Sequence, residues 1–112
     1  MRAHIVRNNK APVAVVLLKN INWVNRHVWL EIMSDSESGL DEDITRAAIQ
    51  EVRRLNLRKV STDVILADHS TRISALEENG FKIEVRKRQG HFAKGVFKTV
   101  LEMALFLGTD YE

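Results

Sequence analysis

Cysteine is missing from the sequence altogether, and proline and tyrosine occur once each. Without cysteine there is no disulfide scaffold, no thiol nucleophile and no thiolate metal site, and the composition fits a reducing cytoplasm. The four histidines, His4, His27, His69 and His91, include no pair two or four residues apart, so no metal site is expected. No apolar run reaches the ~18 residues of a membrane span, and the opening Met1-Arg2-Ala3-His4 has no signal-peptide core. A cytoplasmic protein without membrane contact is expected. Charge of one sign is also scarce. Lys and Arg number 17 against 15 Asp and Glu, a net of +2. The pI of about 9.2 overstates this, because little titrates between pH 7 and 10 without cysteine and with one tyrosine. Such a weak field argues against a dedicated nucleic-acid binder.

What is present suits one globular domain. The 112 residues are 45% hydrophobic and 29% charged, enough for a single core. No linker, repeat or low-complexity stretch divides residues 1–112. Residues 3–7 and 12–19 read as strands across a turn at Asn8-Asn9-Lys10, and the second is apolar enough to be covered on both faces. Residues 26–33 alternate, with Val28, Leu30 and Ile32 on one side. A helix over 41–56 carries Ile44, Ala47, Ala48, Val52 and Leu55 on one face. Its acidic start and basic end suit the helix dipole. A strand at 58–66 and a helix at 70–79 follow. That helix closes on Asn79-Gly80-Phe81, where Gly80 can turn left-handed and Phe81 can pack back on Leu76. Strands at 81–88 and 96–106 flank a turn at Lys94-Gly95. The order β-β-β-α-β-α-β-β predicts an α/β (α+β) mixed sheet with a parallel crossover from 26–33 to 58–66.

Four segments in sequence order resemble the GNAT superfamily of acyl-CoA N-acyltransferases, in particular its ribosomal-protein and polyamine acetyltransferase branch. Residues 12–33 resemble the family's third strand, Asn-containing turn and fourth strand. Residues 44–64 resemble its long helix, its L-x-L-x-K-V joint and its fifth strand. Residues 68–81 resemble its N-x-x-A-x-x-x-Y-E-K-x-G-F helix, and residues 85–100 its last hairpin. The resemblance implies a GNAT-like sheet lacking the family's first strand and first two helices. It implies acetyl transfer from acetyl-CoA to a primary amine, with the thioester between the diverging fourth and fifth strands and backbone N–H near Ile32 or Met33 polarising its carbonyl.

Two departures argue for impaired activity. The family loop R/Q-x-x-G-x-G/A cradles a pyrophosphate with inward N–H groups at a helix N-terminus. Here residues 34–43 hold one glycine and no base, and five of the ten are acidic. Acetyl-CoA is therefore expected to bind weakly or not at all, although Ser34, Ser36, Ser38 and Gly39 could still donate. The family's tyrosine acid falls on Leu76, and its asparagine on His69.

The candidate site residues follow from this register. Glu31 is the candidate proton acceptor for the attacking amine, against the plainer role of a surface ion pair. Ile32, Met33, Ser34, Ser38, Gly39 and His69 are the candidate cofactor contacts. His27 shares a strand face with Glu31. Arg86, Lys87, Arg88, His91, Lys94 and Lys98 surround Phe92 and Phe97, a pattern open to RNA stacking but also ordinary for such a hairpin. Absent front helices would leave sheet exposed near Trp29, so a homodimer is expected. The alternative to an enzyme is a non-catalytic GNAT-fold module that binds a protein or ligand.

Overall fold

Alternation along the strands decides how this sheet is built, and a computed structural model, describing residues 1–8, 11–34 and 40–108, shows it directly. Its elements are β1 (Arg2–Asn8), β2 (Ala11–Asn22), β3 (His27–Ser34), α1 (Asp41–Arg54), β4 (Lys59–Ile65), α2 (Ser70–Glu78), β5 (Lys82–Ala93) and β6 (Val96–Phe106). They form one mixed sheet in the order β1-β2-β3-β4-β6-β5. The element order and the central parallel pair are those expected from the sequence. No helix among the described residues is long and apolar enough to cross a membrane.

Even-numbered residues of β2, β3 and β4 (Val16, Leu18, Val28, Leu30, Val60, Val64) point to one face and meet Ile44, Ala48 and Val52 of α1 and Ile73 and Leu76 of α2. Leu101 and Met103 of β6 join them. Thr45 is buried in this layer because its hydroxyl donates to the Asp41 carbonyl at 2.7 Å, which satisfies the polar atom inside the helix. The opposite face differs from expectation. Val15 and Leu17 of β2 are half-buried, so the middle of that strand is covered on one face only. Across three strands, Ile5, Val15 and Met33 lie in register as an apolar row, with Ile5 and Met33 each 49% exposed.

Two strands run longer than their periodicity suggests. β2 continues to Asn22, whose side-chain oxygen accepts the backbone N–H of Val24 and Asn25 and so sets the turn. β5 continues to Ala93 through irregularities between Ile83 and Val85 and between Lys87 and His91, the local device that lets an edge strand bend and continue. Gly90 lies in the second of these; a Cβ there would sit 3.0 Å from both Lys87 Cβ and Val100 Cγ2.

The feature that positions a site is the end of the parallel pair. β3 and β4 pair only from His27↔Lys59 to Leu30↔Thr62. Thr62 donates its hydroxyl to the Leu30 carbonyl at 2.9 Å. Beyond that bond β3 runs to Ser34 beside β2, and β4 runs to Ile65 beside β6.

Candidate functional site

Where β3 and β4 part, a half-open cleft of about 470 Å³ forms, with Leu30, Glu31 and Ile32 on one wall, Thr62, Asp63 and Ile65 on the other, and His69 and Arg72 of α2 at its end. Trp29, Lys19 and Asn20 complete it. It is placed there by register: strands that stop pairing leave backbone groups that no neighbour satisfies, and such groups need another partner.

Several sequence candidates meet in this cleft. Glu31 lines it and stays half-exposed, with Lys19 Nζ 3.3 Å from its carboxylate. Ile32 contributes a buried side chain, while Met33 turns to the other face and borders a shallow groove with Pro12 and Val13. His69 opens α2 as its N-cap residue without a side-chain capping bond. Burial, then the nearby Arg72 guanidinium, hold its imidazole below the ordinary pKa, so it faces the cleft uncharged at neutral pH. His27 sits outside the cleft's lining. It hydrogen-bonds Ser61 Oγ through Nε2 at 2.8 Å, and burial followed by Lys59 lowers its pKa. Ser38 and Gly39 lie outside the described residues. Leu76, at the position of the family's tyrosine, is fully buried in the core.

Of the five acids in this stretch, Asp35 and Glu37 lie outside the described residues, and the three in the first turn of α1 are partly engaged. Arg46 bonds both Glu42 and Asp43. Asp41 accepts the Thr71 hydroxyl at 2.6 Å and lies 3.6 Å from Arg72 Nε. Arg46 thus offsets part of the negative charge of Glu42 and Asp43 in the first turn of α1.

Arg72 is the residue that sequence reasoning missed. Its Nη1 donates to the Ile32 carbonyl at 3.3 Å and its Nη2 to Ser34 Oγ at 2.8 Å. The side chain is 12% exposed, and its buried Nε has no hydrogen-bond partner. The signal was available: by the register of the helix motif, an arginine stands where the pattern has alanine. Lys19 and Thr62 also went unnoticed, and nothing in their local sequence marks them. Among the described residues no three His, Asp or Glu side chains gather as a metal site.

Antiparallel flanks, a short central parallel pair, a crossover helix and a cleft at the parting strands define a GNAT-like mixed fold. The comparisons agree on the fold. The chain superposes on spermidine N-acetyltransferase from Vibrio cholerae in complex with CoA and spermine, with a TM-score of 0.78 and 22% identity over 88% of this chain and 60% of that one. Mutant forms of the spermidine/spermine N-acetyltransferase of that organism give a TM-score of 0.80 and 22% identity, covering 91% of this chain and 64% of theirs. A dodecameric structure of the same enzyme in an intermediate state gives 0.77 and 23%, covering 87% and 58%. The chain thus spans about three-fifths of the length of these structures. No protein-family model matches the sequence, and no curated protein matches it by sequence.

Proposed function

We propose that the cleft between β3 and β4 receives an acyl-CoA, and that the chain carries the chemistry of amine N-acylation in a weakened form. The observation that supports this most is the cleft's position, at the parting ends of the parallel pair in a sheet that superposes on polyamine acetyltransferases. At about 470 Å³ it can hold the acetyl end and pantetheine arm of the cofactor. The pairing of Glu42 and Asp43 with Arg46 lessens the negative field at the helix N-terminus where a phosphate would sit.

In this reading Glu31 accepts the proton that the amine nitrogen loses as it attacks the thioester carbonyl, and Lys19 keeps that carboxylate in place. The β3 backbone near Ile32 and Met33 lies beside the carbonyl oxygen. As the carbon–sulfur bond breaks, Leu76 has no proton for the departing thiolate, so that proton must come from solvent. His69, uncharged and at the cleft's end, contacts the arm. Placement supplies what rate there is.

A second reading is a GNAT-fold module that binds without turnover. The buried Leu76 and the arginine within the cleft favour it. Titration calorimetry with acetyl-CoA, paired with an assay of CoA release in the presence of a primary amine such as spermidine, separates the two. Binding near millimolar with slow, amine-dependent CoA release is expected; binding without release leaves the module, and micromolar binding removes the case for impairment. We place a second copy of the chain over the Ile5–Val15–Met33 row, because an apolar row on an uncovered sheet face is the kind of surface a homodimer buries.

A further inference from the structure

The gap between β3 and β4 contains a group from the protein itself. Arg72 reaches out of α2 across the open end of the cleft and caps the Ile32 carbonyl, the backbone acceptor that β4 leaves behind when it diverges. The same guanidinium grips Ser34, and Thr71 beside it grips Asp41, so adjacent residues of α2 hold both ends of the stretch joining β3 to α1. The hold is incomplete. The bond to Ile32 is at the long limit, the buried Nε–H has no acceptor, and the Asp41 carboxylate that could take it stands 3.6 Å away. A buried donor without a partner is a standing cost of this arrangement. A guanidinium turned onto Asp41 would gain the two-pronged geometry it favours with carboxylates.

We propose that Arg72 is a latch: in the unliganded chain it closes the cleft at the Ile32 carbonyl, and a ligand lying along β3 enters by displacing it onto Asp41. This deepens the acyl-CoA reading and rests on it for the identity of the ligand. The latch then decides whether an extended, amide-bearing chain can reach the β3 backbone.

The test uses the whole chain, its Arg72→Ala and Arg72→Lys variants, and Ser34→Ala, which removes one partner while leaving the arginine. Amide hydrogen exchange at residues 31–34 and 40–44 reads the latch without ligand, and calorimetry with coenzyme A reads entry. Arg72→Ala is expected to speed exchange in both segments and to tighten coenzyme A binding about tenfold, the scale of one charged contact released. Arg72→Lys and Ser34→Ala should fall between it and the parent, since lysine cannot fork to two acceptors. Unchanged exchange overturns the latch. Faster exchange with weaker coenzyme A binding also overturns it, making Arg72 an anchor for the ligand's anionic end. Faster exchange with no coenzyme A binding by any of the four proteins supports the latch and overturns the acyl-CoA reading.

Discussion

Leu76 shows why a motif position and a catalytic position are different things. The side chain is wholly inside the core, packed with Ile73 and Phe81, so a tyrosine there would have to push its ring and hydroxyl into a filled layer. Leu76→Tyr is expected to cost about 1–3 kcal/mol of stability through overpacking, read as a lower midpoint in urea denaturation; a midpoint equal to the parent's would mean that the site opens toward the cleft. The histidines make a second residue-level prediction. Burial lowers the pKa of both His27 and His69 in the folded chain, so the unfolded chain takes up protons first as pH falls. Their contribution is intact above the unfolded value of about 6.5 and is lost below it, toward the lowered folded values. Thermal midpoints should therefore drop between pH 7.5 and 5.5, and His27→Gln should flatten that drop. An unchanged slope in the variant would show that His27 takes no part.

At the scale of elements, the strands and helices were legible because each carries its own period: alternation in β3, a one-sided apolar stripe in α1, and the Asn79-Gly80-Phe81 stop after α2. Gly80 has φ 97°, and the Phe81 N–H bonds back to the Leu76 carbonyl at 3.0 Å. Gly80→Ala should cost about 1–2 kcal/mol for the left-handed backbone alone, with Leu105 Cδ1 at 3.1 Å adding crowding; an equal denaturation midpoint would refute this. What was not legible depends on partners far away in sequence. The end of β2 is set by the Asn22 side chain folding back on the turn, and the length of β5 by its register against β6. Within the cleft, Glu31, Ile32 and His69 could be placed from the motif register, whereas Arg72 gains its meaning only when α2 is laid beside the end of β3, about forty residues earlier in the chain. Thr62 is the same kind of case. Thr62→Val keeps the shape but removes the hydroxyl bond to the Leu30 carbonyl, an expected loss of about 0.5–1.5 kcal/mol, measurable by the same denaturation.

For the whole molecule, two surfaces stand apart from the cleft. The Ile5–Val15–Met33 row predicts self-association. Static light scattering over a wide concentration range should give twice the mass of the chain, and Ile5→Lys with Met33→Lys should return it to the monomer mass; a parent that stays monomeric throughout ends the proposal. At the far edge, the Phe92 and Phe97 rings meet at a tilt of 45° with centroids 4.7 Å apart, and both are more than half exposed near the turn of the last hairpin. The hairpin is tied to the rest of the fold by Lys98 on Asp68 and Lys87 on Asp63, and Lys87 also pairs with Glu102 across the hairpin itself. The hairpin's positive charge is thus partly spent on its own chain, which agrees with the small field read from composition.

The shortness of the central parallel pair has a kinetic side. β1, β2 and β3 follow one another in sequence and pair as neighbours, and so do β5 and β6, so each group can form early. Joining the groups means bringing together strands roughly thirty or more residues apart, and at the β3–β4 seam the reward for closing that loop is four residue pairs. The rate-limiting encounter should therefore be the meeting of Val28 with Val60 under α1. Val28→Ala and Val60→Ala are expected to slow refolding, while Ile5→Ala at the outer strand mainly speeds unfolding. The place where the chain is slowest to close is also the place where it stays open enough to admit a guest.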